Sequence, residues 1–250
     1  MSAHPPFLNA GNAGPFTLDG TRTYRVGRRS AVVMDPGPDV EDHVRALLVW
    51  LGDAGDVRVV VTHGHRDHAG CALRLAEALG VPVMGPGGVE GVESPLVDGD
   101  ALLTDDGTLR AVDTPGHAER HLCFHWEERR AVFVGDLMLG KGDTTWVAGY
   151  PGCVADYLES LARVRRLGVT VIYPAHGEPI TDVSAALDRY EAHRRHRIRQ
   201  VHEALEEAPE ATLNELVRMV YPGAMPSAVE RAARMSLAAL LEHVRNGEGR

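Results

Sequence analysis

Apolar residues in this chain follow two rhythms, and the switch from one to the other recurs along its length. Val57 to Thr62 is a short β-branched run that reads as a buried strand. Ala69 to Leu79 then places Ala69, Ala72, Leu73, Leu75, Ala76 and Leu79 at helical spacing. Earlier, strands at Thr21–Val26 and Ser30–Met34 precede a helix from about Val40 to Leu51, with Val44, Leu47, Leu48 and Leu51 on one stripe. Later strands are expected at Val81–Met84, Pro95–Val97, Ala101–Leu103, Thr108–Val112, His121–Trp126, Arg130–Val134 and Thr170–Tyr173, with a Gly/Pro-rich loop at Gly85–Gly91. Asp156–Leu167 is helical, with Leu158, Leu161, Val164 and Leu167 three apart. Strands and helices alternating in each half predict an α/β protein: two sheets face to face with helices outside, an αββα sandwich.

The rhythm changes near residue 180. Val183 to about Glu207 reads as one long helix, interrupted at Pro209. Thr212 can cap a helix through Met219, Tyr221-Pro222-Gly223 breaks it, and Pro226–Asn246 forms a last helix with Val229, Ala233, Leu237, Leu240, Leu241 and Val244 apolar. The chain therefore divides into a main domain, 1–182, and a small helical module, 183–250, that resembles a winged helix. The segment after Val244 is too short for a full wing hairpin.

Polar residues of one chemical type gather where the strands stop. His63-Gly64-His65-Arg66-Asp67-His68 follows the Val57–Thr62 strand directly. Leu109–Asp113 runs into Thr114-Pro115-Gly116-His117, Arg130–Val134 into Gly135-Asp136, and Thr170–Tyr173 into Pro174-Ala175-His176-Gly177. Glycines and prolines beside each ligand make tight turns that let the backbone approach an ion. Histidine and carboxylate at these spacings are zinc-type ligands. Five of the 13 histidines, at 63, 65, 68, 117 and 176, lie at such ends with both aspartates, which chance placement does not explain.

This set resembles the metallo-β-lactamase superfamily signature, His-x-His-x-Asp-His followed by a downstream His, a bridging Asp and a final His. The resemblance implies that His63, His65 and His117 hold one metal, that Asp67, His68 and His176 hold a second, and that Asp136 bridges them. It implies two zinc ions, with manganese or iron as alternatives, that activate a water for hydrolysis, with Asp67 and Asp136 as the catalytic carboxylates. Asp136 stands where several true β-lactamases have Cys, and His65 where flavo-diiron proteins have Glu. The short stretch from Asp136 to His176 leaves no room for the inserted domain of the β-CASP branch.

Phe16–Tyr24 is similar to an N-terminal T-L-x-G-T-N-T-Y segment, with Arg22 in place of Asn. Thr114–His121 is similar to T-P-G-H-T-x-x-H, and Asp136–Gly142 to the start of G-D-x-x-L-G-x-G-T-T after its glycine. With the helical tail, these segments resemble the group of the mitochondrial β-lactamase-like endoribonuclease and the fungal polyketide thioesterases. His121, four residues after His117, is a candidate second-layer donor or substrate contact, or else a structural imidazole at a strand start. Lys141 and Trp146 follow Asp136 on a loop and are candidate substrate contacts, with ordinary packing the other reading of Trp146.

Composition narrows the substrate. The formal charge is −9, an unhelpful field for a polyanion. Asp188–His202 runs the other way, with Arg189, Arg194, Arg195, Arg197 and Arg199 against two carboxylates, either a phosphate-binding helix or a solvated face. A thioester or ester as small-molecule acyl substrate is the first expectation, and single-stranded RNA the second. An iron persulfide dioxygenase and a nucleic-acid module with a structural metal are further alternatives. No apolar run approaches the roughly 18 residues of a membrane span. Met1-Ser2-Ala3-His4-Pro5-Pro6 has no signal-peptide character. Cys71, Cys123 and Cys153 form no C-x-x-C pair and fit a reducing cytoplasm. Oligomeric state stays open, a homodimer included.

Overall fold

The computed structural model describes residues 4–223 and 226–247. Met1-Ser2-Ala3 of the opening segment, Ala224-Met225 and Glu248-Gly249-Arg250 lie outside the described residues.

Two sheets form as the alternation predicts. The first runs β1 (Phe7–Asn9), β2 (Arg22–Val26), β3 (Ser30–Met34), β4 (Asp56–Val60), β5 (Val83–Pro86) and β6 (Ser94–Leu96) in spatial order. The second contains β7 (Ala101–Thr104), β8 (Gly107–Asp113), β9 (Leu122–Trp126), β10 (Ala131–Gly135) and β11 (Val171–Pro174), in the order β11-β10-β9-β8-β7. Strands β3 to β6 are parallel. The connections from β3 to β4 and from β4 to β5 run through α1 (Glu41–Leu51) and through α2 (Arg66–Ala69) with α3 (Ala72–Leu79). The parallel pair β10–β11 is connected through α4 (Cys153–Arg166).

Period-two alternation decides which residues meet. In β10, Ala131 and Phe133 join Tyr24, Leu109 and Phe124 between the sheets. Val132 and Val134 point the other way, onto Val154, Tyr157 and Leu161 of α4. In β3 and β4, Val32, Met34 and Val60 enter the inter-sheet core, while Val33, Val57 and Val59 pack on Val44, Leu47 and Leu75 of α1 and α3. The result is the αββα sandwich.

Three elements differ from expectation, the first being the helix read over Ala69–Leu79, which is broken at Gly70-Cys71 so that Ala69 ends α2 and α3 starts at Ala72. β1 escapes the sequence because its three residues carry no apolar period and are largely exposed. α4 begins at Cys153 instead of Asp156, and its buried stripe is Cys153, Val154, Tyr157, Leu161 and Val164, with Leu158 only half-buried.

The tail forms α5 (Val183–Glu207), α6 (Leu213–Val220) and α7 (Ser227–Arg245). Asp182 caps α5 by accepting from Ala185 N, and Thr212 with Glu215 makes a capping box on α6. Leu216, Leu237 and Leu240 join the same apolar cluster as α4 and α5. The module thus shares a core with the sandwich. Among the described residues no strand follows β11, so the helices carry no wing.

Candidate metal centre

The chain leaves β4, β8, β10 and β11 through tight turns, and these turns deliver the ligands. Two glycines are indispensable here. Gly116 has φ +135°, and a Cβ there would lie 2.6 Å from Tyr157 Cα. Gly135 has φ +48°, with a Cβ 2.6 Å from Thr62 Oγ1. The turns are also tied to each other. Leu122 N donates to Thr62 O at 2.9 Å, and Arg22 N to Ala175 O at 2.7 Å.

Seven side chains converge in two groups, His63–His65–His117 and Asp67–His68–Asp136–His176, each with its donor atoms within 4.8 Å of one another. His65 Nδ1 lies 2.9 Å from His63 Nε2 and 3.0 Å from His117 Nε2. His176 Nε2 is 3.3 Å from both Asp67 Oδ2 and Asp136 Oδ1. His68 Nε2 is 3.4 Å from Asp136 Oδ1. The other oxygen, Asp136 Oδ2, lies 3.5 Å from His117 Nε2, so this carboxylate spans the two groups.

These residues fit bound metal. His68 Nε2, His176 Nε2 and Asp136 Oδ1 are buried without a hydrogen-bond partner, a costly state that a shared cation relieves. Imidazole and carboxylate are the donor set for zinc, manganese or iron.

The far nitrogen of each ring sets its orientation. His117 Nδ1 donates to Trp146 O at 2.8 Å, and His176 Nδ1 to Gly20 O at 3.2 Å. His68 Nδ1 donates to Asp35 Oδ2 at 2.9 Å. His63 Nδ1 donates to Thr62 Oγ1 at 3.0 Å, and that hydroxyl donates in turn to Asp35. Asp35 therefore braces one ring of each group. It sits at φ +50° just past β3 and also accepts from Thr62 N at 2.8 Å. Sequence reasoning missed it. Its only signal was an acidic residue at a strand end, inside what looks like a plain Asp-Pro-Gly turn.

Burial pushes His63 well below the ordinary imidazole range and His117 down to about 4, so both are neutral and ready to ligate. Burial alone would push His68 down as well, but Asp136 and Asp35 outweigh it and raise its affinity for a proton, which a metal ion bound at Nε2 would displace. Burial alone would keep Asp136 protonated, yet His68 and His176 hold its carboxyl far below the carboxylate range.

The remaining sequence candidates separate. Trp146 faces the centre: its ring lies 5.9 Å from that of His65 and its carbonyl holds His117. His121 is fully buried, bonded to Thr114 Oγ1 at 2.9 Å, with burial pushing it down to about 3. It packs behind His63 and is not among the residues that line the cavity over the ligands. Lys141 is exposed and lies off the cavity wall. Arg22, where the resembled segment has Asn, is buried and pairs with Asp19 at 2.8 Å and with Glu178. Asp19 also accepts from Gly177 N at 2.9 Å, so the pair braces the His176 loop.

The arginine-rich helix also divides. Arg194 is only 3 % exposed, which excludes it from both a solvated face and an exposed phosphate track. Arg189, Arg195 and Arg199 are exposed, and Arg195 pairs with Glu191 at 3.0 Å.

Over the ligands opens a cavity of about 880 Å³, with His65, Asp67, His117 and Asp136 in its wall. The rest is largely apolar, including Phe16, Leu139, Trp146 and Tyr221, with Ala233 and Met235 from α7. The helical tail therefore builds part of the site.

Residues 17–89 and 86–176 match the family described as the Metallo-beta-lactamase superfamily. A lactamase-like protein, aptB of Emericella nidulans, is 34% identical over 248 residues, covering 92% of this chain and 77% of its own length. An atrochrysone carboxyl ACP thioesterase of Aspergillus chevalieri is 35% identical over 247 residues, covering 90% and 75%. Among solved structures, the metallo-beta-lactamase family protein TTHA1429 from Thermus thermophilus superposes with a TM-score of 0.77 at 26% identity, covering 97% of this chain and 93% of the other.

Proposed function

The chain belongs to the metallo-beta-lactamase superfamily and is a metal-dependent hydrolase, and from that premise we propose that it cleaves a thioester or ester with a largely apolar acyl group. The observation that carries the substrate class is the apolar cavity directly over the ligand groups. A thioesterase among the relatives supports the same reading.

His63, His65 and His117 would hold one ion, Asp67, His68 and His176 the second, with Asp136 reaching both. Zinc is the metal we propose, with manganese and iron as alternatives. When bound, such a pair supplies a Lewis acid for the carbonyl oxygen and lowers the pKa of a water towards neutrality. Asp67, half-buried and in the cavity wall, orients the attacking water and takes its proton. Trp146 and Phe16 exclude bulk water and pack against the acyl group. Residues 1–182 carry the ligands, and the module from 183 completes the cavity. Three buried free cysteines fit a reducing compartment, the cytoplasm. Among the described residues no helix is long and apolar enough to cross a membrane.

RNA is a poorer fit. The wall is largely apolar, and Arg194, the centre of the basic run, is buried at the cavity and not on an exposed track that a polymer backbone could follow. The deciding experiment combines elemental analysis with parallel assays on the metal-loaded protein. Substrates are hexanoyl-N-acetylcysteamine, a hexanoyl ester, single-stranded RNA at low salt and a persulfide with oxygen. We expect two zinc ions per chain and metal-dependent release of hexanoate. Cleavage of RNA with no acyl hydrolysis, or one iron with oxygen consumption, overturns the proposal.

A further inference from the structure

Away from the metal ligands, every charged residue on the cavity wall is basic. Among the described residues, the only carboxylates lining it are Asp67 and Asp136, both within the ligand groups, whereas Arg194, Arg197 and Arg231 line the remainder. Arg194 and Arg197 lie three apart on α5, on one helix face.

Neither has a carboxylate within ion-pair distance among the described residues. Arg194 donates from Nη2 to Thr145 O at 3.1 Å, and its guanidinium carbon stands 5.1 Å from the Tyr157 ring centroid. Its Nε is buried without a partner. Arg197 donates to Val220 O at 3.1 Å and to Gln200 Oε1 at 2.9 Å, and lies 4.5 Å from the Tyr221 ring centroid. Its Nε is equally unpartnered. Carbonyls and aromatic faces orient a guanidinium without neutralising it. Burial, and more weakly the neighbouring Arg197, work against the Arg194 charge. A buried cation without a counter-ion is costly to hold. An anion arriving in the cavity supplies what the fold omits.

The pair is also close to the chemistry. Thr145, whose carbonyl accepts from Arg194, places its Oγ1 3.4 Å from His117 Nδ1. One residue thus separates the guanidinium from a ligand ring.

We propose that Arg194 and Arg197 form an anion subsite of the cavity, receiving a carboxylate or phosphate that the substrate carries away from the bond being cleaved. This rests on the acyl-hydrolase reading and deepens it: the preferred substrate is an acyl thioester or ester with an apolar body and one acidic group. The planar, forked donors of arginine suit both anions. The acidic group sits on the acyl chain or on the thiol part, and the substrates below distinguish the two.

The test uses metal-loaded protein and four thioesters. Hexanoyl and adipoyl N-acetylcysteamine differ by a carboxylate on the acyl side. Hexanoyl pantetheine and hexanoyl 4′-phosphopantetheine differ by a phosphate on the thiol side. We expect the parent to favour the anionic member of at least one pair by about tenfold or more in kcat/KM, the scale of a charge-assisted hydrogen bond. Arg197→Gln, at the less buried position, and Arg194→Met each bring that ratio towards unity, with circular dichroism confirming the fold. A parent ratio near one in both pairs overturns the proposal, as does a preference that survives in folded Arg197→Gln. Should the parent hydrolyse none of the four, the hydrolase reading fails by itself. Calorimetric binding of the corresponding non-hydrolysable amides then decides the subsite: anion-selective binding lost in Arg197→Gln supports it, and equal binding of neutral and anionic amides overturns it.

Discussion

Asp35 supports both halves of the ligand cluster through one carboxylate, directly at His68 and through the Thr62 hydroxyl at His63. Asp35→Asn keeps the size but removes the negative charge that faces the His68 ring. Loss of such an outer partner typically costs about 10–100-fold in metal affinity or activity. We expect a drop in zinc affinity of that size, measured by competition with a chromophoric chelator, in a protein with parental circular dichroism. An affinity within about threefold of the parent would show that Asp35 only closes a turn. The contrast with the ligands shows what can be read at this scale. His117, Asp136 and His176 announce themselves because each follows an apolar run and a Gly or Pro turn, and His63 because it ends an apolar run directly and is followed by Gly64. Asp35 hides because Met34-Asp35-Pro36-Gly37 already makes sense as a turn. The sequence leaves three readings of His121 open, because spacing from His117 does not say which side of a new strand a residue takes, and its full burial against Thr114 fits the structural imidazole.

At the scale of elements, the site depends on loops held by backbone contact. Gly140 N donates to His176 O at 2.8 Å, and a Cβ on Gly140 would lie 2.3 Å from both N and O of Glu178. Those atoms are main chain and cannot rotate away, so Gly140→Ala must push the His176 loop aside. Overpacking of this kind costs about 1–3 kcal/mol. For a chain of this size each kcal/mol lowers the melting temperature by roughly 2–4 °C. We expect a lower melting temperature together with weaker metal binding, because the displaced loop carries a ligand. Gly52→Ala is the control, since Gly52 has helical φ and its nearest contact is 3.4 Å away. Equal melting curves and zinc affinities for the two variants would show that the loop absorbs the methyl freely. The loop's strand was visible in the sequence as Thr170–Tyr173, but its approach to Gly140 was not. That contact joins two turns remote in the chain, and hydrophobic period carries no information about it.

At the scale of the molecule, the sandwich was legible and the roof of its cavity was not. The two-sheet architecture follows from alternation, and the three tail helices from their caps and breaks. Nothing in the pattern of α7 says that it leans over the ligands, because the stripe that buries Leu237 and Leu240 dominates its period. Ala233, one turn before Leu237 on the same stripe, lines the cavity together with its neighbours Ala232 and Met235. Their presence there gives the tail a role in choosing substrate by size. Ala233→Phe adds a ring to the cavity wall, at a half-buried position where open space adjoins the side chain. A long acyl chain must compete with that ring, whereas a short one does not reach it. We expect the ratio of kcat/KM for decanoyl over acetyl N-acetylcysteamine to fall by about tenfold or more, the worth of roughly two buried methylenes. Acetyl hydrolysis reports whether the centre itself is intact, and thermal melting whether the helix still packs. If the ratio is unchanged in a well-folded variant, the acyl chain leaves the centre by another path and α7 is a structural brace only. If it falls as expected, the helix that closes the fold also measures the substrate.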